Sequence, residues 1–157
     1  MARGLRKPPQ MILSEAQIAE LKQDIAAIGA DLRVFVFNYA RVFGTSYVPE
    51  YDIIAVKGNI FPDTESGSTH PRDLMSARAV LAHEYYGHRT YQNTPVPIDD
   101  WRDEFRASYT AAKITPNLTE EDRRYLILDA LARAAEEGVS IRHNNFIRSV
   151  LYGYTNI

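Results

Sequence analysis

The sequence contains no cysteine among its 157 residues. This absence excludes disulfide bonds, thiolate nucleophiles and every metal site that uses cysteine ligands. If the protein holds a metal ion, the ligands must therefore come from histidine, aspartate and glutamate.

A long apolar segment is also missing. No window of the sequence approaches the roughly 20 apolar residues that a membrane-spanning helix needs. The N-terminal stretch MARGLRKPPQMIL, residues 1–13, is basic but has neither a long apolar core nor a small-residue cleavage site, so it lacks the pattern of a signal peptide. We expect residues 1–13 to be a flexible lead-in, and the protein to be cytoplasmic without a membrane partner; export by a dedicated secretion system stays open.

Neither sign of charge is in excess. Eighteen Lys and Arg against twenty Asp and Glu give a net charge of -2, which argues against a protein that binds by neutralising phosphates. The hydrophobic content of 45 % and the charged content of 24 % are those of an ordinary globular protein, and the length fits one domain. We therefore expect residues 1–157 to form a single domain with no nucleic-acid partner.

The pattern of apolar residues predicts an α+β fold. Ser14 and Gln17 form a capping-box pattern before apolar residues at helical spacing, which predicts a first helix that ends at Gly29. Segments rich in Val, Ile, Phe and Tyr then predict a small antiparallel or mixed sheet, packed on a central helix that further helices follow. The predicted strands are residues 33–39, 45–48 and 51–56, with 60–61 a candidate continuation, and the predicted later helices are 71–92, 101–113, 119–138 and 144–152.

Two histidines and a glutamate on the central helix form the motif that carries chemistry. His83, Glu84 and His88 read HExxxH. Zinc hydrolases place two imidazoles on one helix to hold the ion, while the adjacent carboxylate acts on the water at the metal. The usual spacing is HExxH, and a five-residue step on an ideal helix would turn the second side chain about 140° around the axis. We therefore predict a π-bulge near Tyr86 and Gly87, where glycine relaxes the backbone.

The segment HEYYGH, residues 83–88, resembles the HExxGH motif of the dipeptidyl peptidase III family. These enzymes are zincin-type metallopeptidases that carry the third zinc ligand on a later helix, in a motif of the form EExxAE or EExxAD. Residues 103–108, DEFRAS, are similar to that motif. The resemblance implies that Glu104 is the third zinc ligand. More broadly, it implies a compact gluzincin with Zn²⁺ as its cofactor.

The second motif departs from the family pattern at two places. Asp103 replaces the first acid, and Ser108 stands where the family has an acid. Fifteen residues separate His88 from Glu104, which is a short connection compared with those far larger peptidases. Groups that contact metal ligands orient them and tune the metal, so the change at Ser108 bears on activity more than on metal binding.

The leading hypothesis is zinc-dependent hydrolysis of a peptide bond in a peptide or protein substrate. His83, His88 and Glu104 would bind zinc, and Glu84 would be the general base. We expect residues 53–60 to line the substrate by strand addition. Two alternatives stay open: a catalytically inactive metal-binding or protein-interaction module on a zincin-like fold, and the toxin domain of a delivered effector.

Several neighbouring side chains have a structural interpretation beside a functional one. Asp103 fits a charge that the helix dipole favours, and it is also the next candidate ligand after Glu104, together with His143. Arg89 and Arg106 fit salt-bridge partners, with gripping of a substrate carboxylate as the alternative. Core packing is expected for Tyr85, Tyr86, Tyr91 and Tyr109, with oxyanion stabilisation as the alternative for Tyr109. Surface or capping roles are expected for His70 and His143, with approach to the metal from another element as the alternative.

Overall fold

A computed structural model describes residues 6–92 and 100–153 of the chain. Within these residues the fold is α+β, with six α-helices and one three-stranded mixed sheet, which confirms the expected class. No helix in this part of the chain has the length and apolar character needed to span a membrane. The predicted turn at residues 93–97 and residues 1–5 of the lead-in lie outside the described residues.

The N-terminal part of the domain is anchored earlier than expected. Residues 6–13 pack on the domain instead of forming a flexible lead-in, because the Arg6 guanidinium donates to the carbonyl oxygens of Asn59, Ile60, Arg72, Asp73 and Met75. Leu13 is also buried. Helix α1 (Glu15–Ala27) follows, and its N-terminus has the capping box that Ser14 and Gln17 predict.

The sheet is mixed, and its strand order differs from its sequence order. Strands β1 (Phe35–Phe37), β2 (Ser46–Val48) and β3 (Ile53–Val56) are arranged β1-β3-β2. β3 pairs in parallel with β1 and antiparallel with β2, so both of its edges are occupied. The expectation that residues 53–60 bind substrate by strand addition is therefore wrong. Gly58–Ile60 form a 3-10 turn and do not continue the sheet, and β2 is the edge strand beside the central helix.

The central helix is segmented where the sequence predicts one continuous helix. Helix α2 (Pro71–Leu74) ends at Met75, whose ψ of 133° is not helical, and Ser76 starts helix α3 (Ala77–Ala82) by accepting from the amide of Ala79. Ser76 also donates to the Asp122 carboxylate at 2.6 Å, which fixes this new start. A π-helical segment (His83–His88) and a 3-10 turn (Arg89–Tyr91) complete the rod.

Three further helices follow close to the predicted boundaries. They are α4 (Trp101–Ile114), α5 (Glu120–Glu136) and α6 (Asn145–Tyr152), with Asp100, Thr119 and Asn144 as their N-caps. Helix α4 packs against both the π-helical segment and α5. This packing places Glu104 of α4 against the two histidines.

Candidate metal centre

The π-helical segment begins and ends at the two motif histidines. His83 and His88 lie at its ends, and their ring centroids are 4.7 Å apart. A π-helix adds one residue per turn, so a five-residue step returns to the same face. The predicted local widening around Tyr86 and Gly87 is confirmed, and the two imidazoles face one place.

Glu104 completes a triangle of ligand atoms with these histidines. The Nε2 atoms of His83 and His88 are 3.0 Å apart, and the Glu104 Oε1 atom lies 3.1 Å and 3.2 Å from them. In a tetrahedral zinc site with ligand distances of 2.0 to 2.1 Å, ligand atoms are about 3.3 to 3.4 Å apart. The donor set and its spacing therefore fit Zn²⁺ after an outward adjustment of a few tenths of an ångström.

Two further carboxylates border the triangle. Potential ligand atoms of His83, Glu84 and His88 lie within 4.8 Å of one another, and so do those of His88, Asp103 and Glu104. Asp103 Oδ2 lies 3.2 Å from Nδ1 of His88, which is the ring nitrogen opposite the triangle. Asp103 thus orients His88 so that Nε2 faces the triangle. It also lies in the first turn of α4, which confirms the expected helix-start charge.

Ser108 and Asp129 perform the corresponding role for His83. Ser108 Oγ donates to Asp129 Oδ2 at 2.6 Å and lies 2.8 Å from Nδ1 of His83. Because the single hydroxyl proton goes to Asp129, Ser108 accepts from the Nδ1–H of His83, and Nε2 is the ring nitrogen that faces the triangle. The carboxylate missing at position 108 is replaced by Asp129 of α5, which acts through the serine.

Asp129 is the participant that the sequence did not identify. It is 0 % exposed, and its Oδ1 atom pairs with Arg72 at 3.4 Å and with Arg133 at 3.2 Å. The sequence hints at a buried role for Asp129 only through its neighbours, because this aspartate lies among the apolar residues of the buried face of α5. No spacing rule connects residue 129 with the HExxxH motif.

The charges of the site favour a cation at the triangle. Burial acts to lower the pKa of His88, but hydrogen bonds with Asp103 and Glu104 and the charge of Glu84 outweigh it and raise the pKa to about 11. Burial acts to raise the pKa of Glu104, but its contacts with His83 and His88 hold it well below its usual range. Several carboxylates thus converge on a place that requires positive charge, carried by a protonated imidazole or by a metal ion.

Glu84 connects the site to the edge strand. It is 8 % exposed, and its Oε1 atom accepts a hydrogen bond from the Tyr47 amide of β2 at 3.0 Å. The Tyr47 hydroxyl donates to Asp52, which also pairs with Arg89 at 2.9 Å. Burial and the Asp52 carboxylate raise the pKa of Tyr47 to about 12. This network holds β2 beside the π-helical segment and confirms the salt-bridge role of Arg89.

Gly87 allows the π-helical segment to touch α4. A Cβ atom at this position would lie 2.6 Å from the Ala107 carbonyl oxygen and 2.7 Å from its Cα atom. Those contacts are too short for any side chain. Glycine is therefore required here for the close approach of α4.

The candidate metal centre opens into a cavity of about 570 Å³. One side of this cavity is formed by β2, through Ser46 and Tyr47, and another by the apolar side chains of Met75 and Val80. His83, Glu84, His88 and Glu104 all line it. A cavity of this size beside the triangle of ligand atoms has room for a small molecule or a peptide segment.

The remaining candidates lie away from the triangle. His70 caps α2 and lies 3.4 Å from Glu136, whereas His143 contacts the Tyr152 hydroxyl at 3.3 Å. Tyr109 stacks on Phe105 and accepts from Asn144, so it packs as expected. Arg106 lies 3.6 Å from Asp103 and confirms its salt-bridge role.

Comparisons with family models, curated proteins and solved structures find no significant match to this chain. The resemblance to the dipeptidyl peptidase III family therefore stays a prediction that rests on the two short motifs.

Proposed function

We propose that the protein is a zinc-dependent peptidase. The observation that carries the proposal is the triangle of His83 Nε2, His88 Nε2 and Glu104 Oε1, with mutual distances of 3.0 to 3.2 Å at the wall of a cavity. Two imidazoles and one carboxylate, with room for a further ligand, are the donor set of catalytic zinc sites.

His83, His88 and Glu104 would hold the ion. Zinc supplies Lewis-acid polarisation of a carbonyl group and makes water acidic enough to react near neutral pH. Asp103 and the Ser108–Asp129 pair engage Nδ1 of each imidazole, so that Nε2 of both rings faces the place of the ion. Such support separates a prepared ligand set from histidines that happen to be near each other. Zinc would displace the proton that the surrounding carboxylates favour on His88.

Glu84 is the proton-transfer group in this proposal. It follows a ligand directly in sequence, and a carboxylate oxygen lies within 4.8 Å of a ring nitrogen of both histidines. The carboxylate takes a proton from the attacking water and passes it to the leaving amine. The backbone amide of Tyr47 holds one of its oxygens in place.

The Glu84→Gln variant tests the catalytic role. Glutamine keeps the size and the acceptor for the Tyr47 amide but cannot take up a proton. We expect unchanged folding and zinc content, with turnover of a mixed peptide library reduced about 10²- to 10⁴-fold, measured by mass spectrometry. The matched control is Glu50→Gln, which changes an exposed glutamate near β2.

Two outcomes would reject the proposal. Full activity in Glu84→Gln would remove the base assignment. Zinc in both proteins with no cleavage by either would favour the binding-module alternative.

A further inference from the structure

Three arginines line the cavity beside the proposed metal triad. Arg133 and Arg72 are two of them. The Nη1 atom of Arg133 lies 3.4 Å from Glu104 Oε1, the same atom that contacts both histidines. A guanidinium group therefore reaches the border of the proposed metal centre.

These two arginines are anchored in a way that leaves donors available. Each uses Nε to pair with Oδ1 of buried Asp129. Arg72 Nη2 donates to Glu136, but no residue in the described part of the chain accepts from Nη2 of Arg133 or Nη1 of Arg72. Their side chains are about one-fifth exposed, at 21 % and 19 %. Fixed Nε atoms and open terminal nitrogens suit the binding of an incoming anion.

Arg6, the third arginine on the cavity wall, behaves differently. It donates to five backbone carbonyl oxygens, using Nε, Nη1 and Nη2. These bonds join the N-terminal segment to the 3-10 turn at Gly58–Ile60 and to α2. Arg133 and Arg72 therefore differ from Arg6 in having a terminal nitrogen that can donate to a ligand.

We propose that Arg133, supported by Arg72, binds a carboxylate of the substrate close to the bond that is cleaved. This inference rests on the proposed peptidase function and names its substrate class. A guanidinium binds a carboxylate through charge-assisted hydrogen bonds, and the planar group fixes its orientation. One extended residue spans about 3.3 to 3.6 Å of chain, and Arg133 Nη1 lies 3.4 Å from an atom of a proposed zinc ligand. The bound carboxylate therefore belongs to a residue within one or two positions of the cleaved bond.

The carboxylate has two sources in a peptide, a free C-terminus or an acidic side chain. Two pairs of probes separate them: N-acetyl-Ala-Ala acid against its amide, and N-acetyl-Ala-Asp amide against N-acetyl-Ala-Asn amide. Affinities are measured by calorimetry on Glu84→Gln protein, with and without zinc, so that no probe is consumed. We expect the acid of at least one pair to bind about 10- to 100-fold more tightly than its neutral partner. The pair with this preference identifies the source.

The same titrations on an Arg133→Gln version test the assigned residue. We expect the preference to disappear there, to be reduced in Arg133→Lys, and to persist in Arg78→Gln. Arg78 is a suitable control because it is a partly buried, ion-paired arginine that does not line the cavity. If Arg133→Gln does not fold, the test is the preference for the acid in Arg133→Lys against the preference in the protein with Arg133 intact.

Equal affinities in both pairs would overturn the inference, as would undetectable binding of both acids. A preference that survives Arg133→Gln would also overturn it, because another group would then hold the carboxylate. These results are distinguishable from failure of the proposed function. An Arg133-dependent preference without zinc binding or cleavage would reject the peptidase and keep the carboxylate site.

Discussion

At the residue scale, Ser108 illustrates how a departure from a motif can be compensated elsewhere in the chain. The motif comparison indicates a lost acid at this position. In the structure the Ser108 hydroxyl bridges His83 to Asp129, and both the serine and the aspartate are completely buried. The sequence could not predict this connection, because Asp129 reaches the serine through the packing of α5 on α4.

Ser108→Ala should weaken the site without removing a ligand. The change leaves His83 Nδ1 and Asp129 Oδ2 without their shared hydroxyl, so we expect about 10- to 100-fold weaker zinc binding by calorimetry. The buried unpaired groups should also lower the free energy of unfolding by about 1 to 3 kcal/mol in urea denaturation. Ser149→Ala is the matched control, since that hydroxyl donates to a carbonyl of its own helix. Wild-type zinc affinity in Ser108→Ala would show that the bridge does not orient His83.

At the element scale, the π-helical segment was predictable because the spacing of the histidines conflicts with a regular helix. The segmentation of the rod at Met75 and Ser76 was not predicted. The apolar period continues through that position, while the break depends on the contact of Ser76 with Asp122 of α5. The strand order could not be predicted either, because three short apolar segments do not specify that β3 lies in the middle of the sheet.

Gly87→Ala tests the close contact between the π-helical segment and α4. Its methyl group would meet backbone atoms of Ala107 at 2.6 to 2.7 Å, so α4 must shift and take Glu104 with it. We expect a loss of about 1 to 3 kcal/mol in the free energy of unfolding, together with weaker zinc binding.

Gly138→Ala is the control that separates the steric clash at position 87 from the loss of stability that any change of glycine to alanine can cause. Gly138 follows α5 with a φ of +73° and no atom within 4 Å of the added Cβ. We expect it to cost about 1 to 2 kcal/mol through its backbone conformation, with unchanged zinc affinity. Equal zinc affinities in both variants would contradict the proposed role of Gly87.

At the scale of the whole molecule, the candidate site joins elements that are distant in sequence. The π-helical segment supplies two of the proposed ligands and α4 the third. Helix α5 contacts His83 through Asp129 and Ser108, and β2 holds Glu84. A metal at this junction would stabilise the folded state, because the unfolded chain does not bring these groups together.

Metal removal should therefore lower the melting temperature. Free zinc at about 100 times its dissociation constant adds about 2.7 kcal/mol to the free energy of unfolding. For a chain of this length, that corresponds to a rise of about 5 to 10 °C. We expect a strong chelator to remove this increment and zinc to restore it in differential scanning calorimetry. His83→Ala should respond to neither treatment, and a chelator response of wild-type size in that variant would indicate a different metal site.

We infer that Glu104 is a zinc ligand and that Glu84, which also borders the triangle, is not. Glu84 is buried and Glu104 is partly buried, and a change of either to glutamine preserves the shape of the side chain. The most direct measurement is a zinc titration of chelator-stripped Glu104→Gln and Glu84→Gln at neutral pH, with wild type alongside. We expect one zinc per chain at similar affinity in wild type and Glu84→Gln, and at least about 10-fold weaker binding in Glu104→Gln. Wild-type binding by Glu104→Gln, or loss of zinc from Glu84→Gln, would contradict this assignment.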